Sequence, residues 1–164
     1  VQAPAGAGDE GPSPQLAVLQ KFREIYRAAK VHFRAAESAV GVSGAQLWTL
    51  CELSEHPGMR VKDLAAAMAL HQSTVSNLLE ALEKMGLIER RRSEEDQRVV
   101  RVFITRAGAA KVGAAPGPAR GVLPEALASL PPASLRRLDR ELGTLLEHMQ
   151  VKPGKGAFTP LSDI

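Results

Sequence analysis

Gln72, Ser73, Thr74, Ser76 and Asn77 lie within six positions of one another and carry compact hydrogen-bonding side chains. Gln and Asn can bond adenine through two atoms at once, and a Ser hydroxyl suits several base edges. At the start of a helix, Ser73 and Thr74 could instead bond phosphate oxygens. The plainer alternative is a set of ordinary residues in the first turns of a helix. A second group follows in Arg91, Arg92, Asp96, Arg98 and Arg101. A guanidinium suits a narrow, electronegative minor groove. Arg98 is the candidate for that role, with Asp96 fixing the turn that presents it; the alternative is a surface ion pair. Arg91, Arg92 and Arg101 are candidates for phosphate contact.

The chain around these residues supplies the elements to hold them. Val75, Leu78, Leu79, Leu82 and Met85 recur at helical spacing, which predicts a helix over 72–85 with one buried stripe. Gly86 stands where a helix needs a left-handed residue to stop, and Leu87 can close that motif with an apolar contact. Two strand-like runs follow, 87–92 and 99–104, with Val100, Val102 and Ile104 on one face of the second. Between them lies the polar tip Ser93-Glu94-Glu95-Asp96-Gln97. Upstream, residues 61–68 predict a short helix with Leu64 and Met68 on one side, followed by the corner Ala69-Leu70-His71. Helix, tight corner, helix and basic hairpin is the order of a winged helix-turn-helix.

These residues resemble the MarR family of transcriptional regulators. The resemblance is carried by Val61-Lys62-Asp63-Leu64-Ala65, by Gln72 through Leu78, and by Leu82-Glu83-Lys84-Met85-Gly86-Leu87-Ile88-Glu89-Arg90. Asp96-Gln97-Arg98 and Thr105-Arg106-Ala107-Gly108 complete it and are its most diagnostic parts. It implies a mainly α fold with a small β wing, in which the terminal helices interlock two copies as a homodimer. It also implies double-stranded DNA as partner, a minor-groove role for Arg98, and repression as the sign of regulation. The implied effector is a small aromatic carboxylate or phenolic acid bound between the helical lobe and the winged domain. Tyr26, His32, Arg34, Trp48 and Cys51 lie on the two helices that would line such a crevice; plain core and surface roles are the alternative. Two-fold symmetry then predicts a pseudo-palindromic operator with half-sites about one DNA turn apart.

The remaining chain fits one subunit of such a dimer. Its 164 residues are 45% hydrophobic but only 4% aromatic, which points to Leu/Ala/Val-rich helices. Residues 1–14 are expected as a flexible tail and 15–42 as the N-terminal dimerisation helix, with Leu16, Leu19, Phe22, Tyr26, Ala29, Phe33 and Ala36 stepping by three or four. Residues 43–108 form the DNA-binding domain, opened by the capping box Ser43-x-x-Gln46 of a central helix over 44–55. Met59-Arg60-Val61 is a candidate third strand for the wing. Residues 109–150 supply the C-terminal dimerisation helices. There, Pro116 and Pro118 interrupt what the resembling family runs as a longer helix. Helices are expected over about 119–130 and from Pro131-Pro132 onward, the latter striped by Leu135, Leu138, Leu142, Leu145, Leu146 and Met149. Residues 151–164 are expected as a second loose tail.

The formal net charge is +3, from 21 basic and 18 acidic residues. Over 71–106 seven Lys/Arg face six Asp/Glu, so placement rather than net charge carries the nucleic-acid reading. Cys51 is the sole cysteine, which excludes an internal disulfide framework. It reads as a small buried apolar residue rather than an oxidation sensor. The histidines His32, His56, His71 and His148 lack metal-ligand spacing, so neither metal nor cofactor is expected. With no nucleophile elbow or phosphate loop, an enzyme is not expected either. No apolar run approaches the ~20 residues that span a bilayer, and the start lacks a signal-peptide pattern. A cytoplasmic location with no membrane partner is expected. The rival readings are a nonspecific architectural DNA binder and a winged-helix module that contacts protein.

Overall fold

The computed structural model describes residues 13–94, 96–152 and 154–163. Most of the expected N-terminal tail, and Glu95 of the hairpin tip, lie outside the described residues. The helices are α1 (Pro14–Val40), α2 (Gly44–Glu55), α3 (Val61–Ala67), α4 (Gln72–Lys84), α5 (Arg106–Ala114), α6 (Val122–Ser129) and α7 (Pro132–His148). The strands β1 (Ile88–Arg92) and β2 (Val100–Ile104) separate α4 from α5. This is the mainly α, winged-helix architecture that the periodicities predict.

The core is built around α2. Leu47, Leu50 and Leu53 are fully buried there, against Leu64 of α3, Val75, Leu79 and Leu82 of α4, and Val102 of β2. With apolar residues all round, α2 has no solvent face to spare, as its sequence requires. It starts on the expected capping box: the Ser43 hydroxyl accepts from Gln46 N–H at 3.3 Å, and Ser43 N–H donates to Gln46 Oε1 at 2.9 Å. Its one buried hydroxyl, on Thr49, donates to the Ala45 carbonyl at 2.8 Å.

The wing is a two-stranded antiparallel sheet with Ile88 opposite Ile104, Arg90 opposite Val102 and Arg92 opposite Val100. The expected third strand is reduced to one bridge, Met59 with Val102, in which Val102 N–H donates to the Met59 carbonyl at 3.0 Å.

Helix α4 reaches the wing through a tight corner. Gly86 has φ 69°, Gly86 N–H donates to the Glu83 carbonyl at 2.9 Å, and Leu87 N–H donates to Leu82 at 3.0 Å. That pair of bonds is a Schellman motif, and buried Leu87 and Leu82 supply its apolar contact. Met85, placed in the buried stripe from its spacing, is 44% exposed because the helix has already ended at Lys84. The corner is clamped from the far side of the wing. Thr105 N–H donates to Leu87 O at 3.0 Å, and the Thr105 hydroxyl donates to Gly86 O at 2.8 Å. The same hydroxyl accepts from Gly108 N–H at 3.2 Å and so caps α5.

Helix α5 ends at Ala114 because Ala115 precedes Pro116 and is held extended at ψ 144°. Helix α6 starts at Val122 rather than near Ala119. Gly121, at φ 102°, forms its N-terminal boundary after a turn in which Gly121 N–H donates to the Pro118 carbonyl at 2.9 Å. Pro132 takes the first position of α7, where its missing N–H leaves no bond unmade. The loose tail expected for 151–164 instead carries 3-10 turns at Lys155–Phe158 and Leu161–Asp163. Pro160 is buried between them; apolar burial gives this segment a reason to settle on the domain.

A Cβ added at Gly108 would lie 2.2 Å from Leu87 O and 2.8 Å from Ile104 Cγ1, so backbone would have to move. Gly108→Ala is expected to destabilise the fold by more than about 2 kcal/mol. Gly113→Ala, where an added methyl meets nothing within 4 Å, should be neutral or stabilising by up to about 1 kcal/mol. Urea denaturation of the two variants side by side checks the contrast.

Candidate nucleic-acid interface

Helix α4 buries Val75, Leu79 and Leu82. Rotating away from that stripe, Gln72, Ser73, Ser76 and Asn77 are exposed and Thr74 is half-buried. The five residues therefore occupy the N-terminal turns of one helix, four of them open to solvent. No side chain caps the N-terminus at His71, which leaves the helix-terminal N–H groups oriented to meet an anion. The charges Glu80 and Lys84, one turn apart, pair with each other at 2.8 Å farther along.

In the hairpin tip, Asp96 Oδ1 accepts from Arg98 N–H at 2.9 Å. The Asp96 carbonyl accepts from Val99 N–H at 2.9 Å, and Ser93 N–H donates to Val99 O at 2.8 Å. These bonds close the turn and hold Arg98 at its edge. The Arg98 side chain is exposed and has no ion-pair partner among the described residues.

The other wing arginines divide by face. Arg91 stacks over the Phe103 ring at 4.8 Å and pairs with Glu89. Arg101 lies opposite Arg91 and donates to the Gly58 carbonyl at 3.1 Å. Arg92 points with Val100 to the reverse face of the ribbon, because successive residues alternate. Arg90, not singled out from sequence, shares that reverse face and pairs with Glu83 of α4 at 3.4 Å. The three arginines grouped as phosphate candidates thus cannot all address the same phosphates.

The five residues expected to line one effector crevice do not converge. A cavity of about 630 Å³ between α1 and the start of α2 is lined by Tyr26 and Arg34, with Phe22, Phe33 and Leu161. A neighbouring cavity of about 580 Å³ is lined by Trp48 together with Leu70, Arg120 and Leu123. Phe33, Gly44, Leu123, Leu161 and Ser162 line both. His32 is half-buried, edge-on to Phe33 with centroids 6.3 Å apart, and lines neither cavity. Cys51 is buried in α2 and also lines neither, its Sγ 3.6 Å from Glu55 Oε1. One residue of shift along a helix rotates a side chain by about 100°, and spacing on α1 and α2 alone does not fix which face meets the crevice.

Under the second cavity lies a charge cluster. Glu52, 6% exposed, accepts at one oxygen from Trp48 Nε1 at 2.8 Å and from Arg120 Nε at 2.7 Å. Arg120 Nη2 also donates to Glu55 at 2.6 Å. That bond holds the Glu55 carboxyl below the usual range. Burial, reinforced by the nearby carboxylates, pushes the Cys51 thiol up. The sequence signal is Glu52 between the apolar residues Cys51 and Leu53 of a central helix, where a buried carboxylate needs a cation from elsewhere. Nothing in the spacing identified Arg120, 68 positions away.

Residues 42–100 match the family model for the MarR family. The organic hydroperoxide resistance transcriptional regulator of Bacillus subtilis (strain 168) is 33% identical over 116 residues, which cover 69% of this chain and 76% of that protein. A MepR-like protein complexed with pseudoligands superposes with a TM-score of 0.57 at 23% identity, over 81% of this chain and 94% of that one. A mutant of Escherichia coli MarR complexed with operator DNA gives 0.53 at 19% identity, over 82% and 99%. At those identities the two structures speak for the fold.

Arg120→Leu leaves Glu52 buried without its cation and is expected to cost about 2 kcal/mol near neutral pH. Glu55, with its pKa lowered in the folded state, contributes stability above the ordinary carboxylate range that is lost as pH falls through the lowered value. The urea midpoint of the variant should therefore decline less steeply than that of the parent between neutral and acid pH.

Proposed function

From the premise that this chain belongs to the MarR family of DNA-binding transcriptional regulators, we propose that it is a homodimeric repressor of a pseudo-palindromic operator, released by a small aromatic or phenolic acid. The carrying observation is the polar N-terminal face of α4 beside a hairpin whose tip, closed by Asp96, presents Arg98. In this reading residues 43–108 form the DNA-reading domain. Gln72, Ser76 and Asn77 address base edges, while Ser73 and Thr74 take phosphates at the helix terminus. Arg98 enters the flanking minor groove, where a fixed guanidinium gains from the narrow groove's negative potential. Arg91 and Arg101 meet phosphates from one side of the wing and Arg92 from the other. Operator DNA is what the E. coli MarR mutant was complexed with, and the shared fold supports the same use here.

The dimer is supported by apolar surface that one copy leaves open. Helix α7 has no buried residue, and its Leu138, Leu142, Leu145 and Leu146, with Met149 just beyond it, are between 36% and 60% exposed. Leu16, Leu19, Phe22 and Tyr26 of α1 are between 40% and 53% exposed. A Leu-striped helix of 17 residues gains little by standing in water, and a second copy covering it removes that cost. The dimer lobe then consists of 15–42 and 109–150, and its two-fold axis sets the spacing of the two α4 helices.

For the effector, the cavity beside Tyr26 and Arg34 supplies aromatic walls at Phe22 and Phe33 and cations at Lys30 and Arg34, with Glu37 and Asp163 balancing them. An acid seated there would work by favouring a spacing of the α4 helices that no longer matches adjacent major grooves. Cys51 has no part in this reading, because its thiol is buried and burial pushes its pKa up. No described helix is long and apolar enough to cross a membrane, and the proposed site of action is cytoplasmic DNA.

Asn77→Ala should weaken binding to the operator by more than about tenfold while changing binding to scrambled duplex by less than about twofold. Equal loss on both would exclude base reading by Asn77. Arg98→Ala should cost over about tenfold in operator affinity, and an unchanged anisotropy curve would remove it from the interface. Leu142→Glu is expected to convert a dimer to monomer in sedimentation equilibrium, with operator binding lost alongside.

A further inference from the structure

The segment 154–163, which follows α7 in the sequence, touches the domain at two places. At one end Phe158 packs on His71, with ring centroids 4.3 Å apart and planes tilted 41°. His71 is the N-terminal boundary residue of α4, immediately before Gln72 and Ser73. At the other end Leu161 and Ser162 line both cavities, and Asp163 lines the one beside α1. Between them Pro160 is buried. The second cavity is bounded by Met68, Ala69 and Leu70 of the α3–α4 corner on one side and by Ala157, Pro160 and Leu161 on the other. The segment therefore spans from the effector cavities to the start of the recognition helix.

The corner it crosses has a reason to need support. Ala69 sits at φ 52°, a conformation disfavoured for a residue with a Cβ. No side chain caps α4 there. Leu70 N–H, donating to Ala65 O at 3.0 Å, closes the end of α3, and Val75 N–H, donating to His71 O at 3.1 Å, holds the first turn of α4. An aromatic ring stacked on His71 restricts that turn from outside.

We propose that residues 154–163 are an intramolecular strap that buttresses the N-terminus of α4 through the Phe158–His71 contact and forms a wall of the cavities at its other end. A molecule seated against Leu161 pushes on the same ten residues that steady Gln72, Ser73 and their neighbours. Cavity and recognition helix are thereby joined within one subunit, without passing through the dimer lobe. The buttress stands on the intramolecular contacts alone; its consequence for DNA rests on the operator reading given above.

The test uses the full chain with Phe158→Ala, Phe158→Tyr and Leu161→Ala. Native-state hydrogen exchange is read at the amides of Leu70 and Val75. Phe158→Ala and Leu161→Ala should each speed exchange there by about fivefold while core amides of α2 keep their protection, and Phe158→Tyr, which retains the stacked ring, should match the parent. In operator titrations Phe158→Ala should bind about fivefold more weakly and Phe158→Tyr like the parent. Unchanged exchange at Leu70 and Val75 in Phe158→Ala would overturn the strap, whatever the DNA results. Tighter operator binding by Phe158→Ala would also overturn it, by showing that the segment obstructs the helix. A parent protein that binds no duplex specifically, with the exchange effects present, would overturn the operator reading and leave the strap standing.

Discussion

A Cβ on residue 108 would lie 2.2 Å from the carbonyl oxygen of Leu87. That forbidden distance measures how tightly α5 closes on the corner between α4 and the wing. The Thr105 hydroxyl, bonded to Gly86 O, and the Thr105 N–H, bonded to Leu87 O, draw the far end of β2 onto the same corner. The recognition helix and the hairpin thus share one fixed junction, and their relative angle is set there rather than at the hairpin tip. In the proposed mode of DNA reading, two surfaces that meet adjacent grooves of one duplex require that angle to be held, because misplacement by an ångström is enough to break a hydrogen bond. The Thr-x-x-Gly pattern in the sequence has this physical content.

Local patterns were legible before any coordinates. The Schellman stop at Gly86, the Ser43–Gln46 capping box and the central role of α2 each follow from a few adjacent residues. So does the break at Ala114, because Pro116 dictates it. What spacing did not reveal depends on partners far apart in the chain. Glu52 with Arg120, and His71 with Phe158, are pairings between segments whose separation leaves no periodic trace. The residues named for an effector crevice are brought together only in part, Tyr26 and Arg34 in one cavity and Trp48 in the next. His32 and Cys51, on the same two helices, face neither cavity, because spacing along a helix does not fix which face meets the space.

Arg120 ties the segment after the proline break to α2. Its bonds to Glu52 and Glu55 fasten the residues just before α6 to the C-terminal end of α2, and Leu123 at the start of α6 lines both cavities. The break at 115–118 therefore does not leave the C-terminal lobe loosely hinged at its near end. Farther out, α7 buries none of its own residues. The chain is anchored where it meets the winged domain, its Leu stripe faces outward, and in the proposed dimer a second copy covers it at that end. On this account the symmetry axis runs through the lobe formed by α1 and α7, and the two α4 helices stand apart at a distance set by that lobe.

The central claim is that two copies read one duplex on one face. Hydroxyl-radical footprinting over the DNA upstream of the protein's own gene tests it most directly. The account predicts two protected patches about one helical turn apart, each flanked by minor-groove protection that disappears in Arg98→Ala. Protection spread evenly along the duplex, or confined to a single half-site, would contradict it.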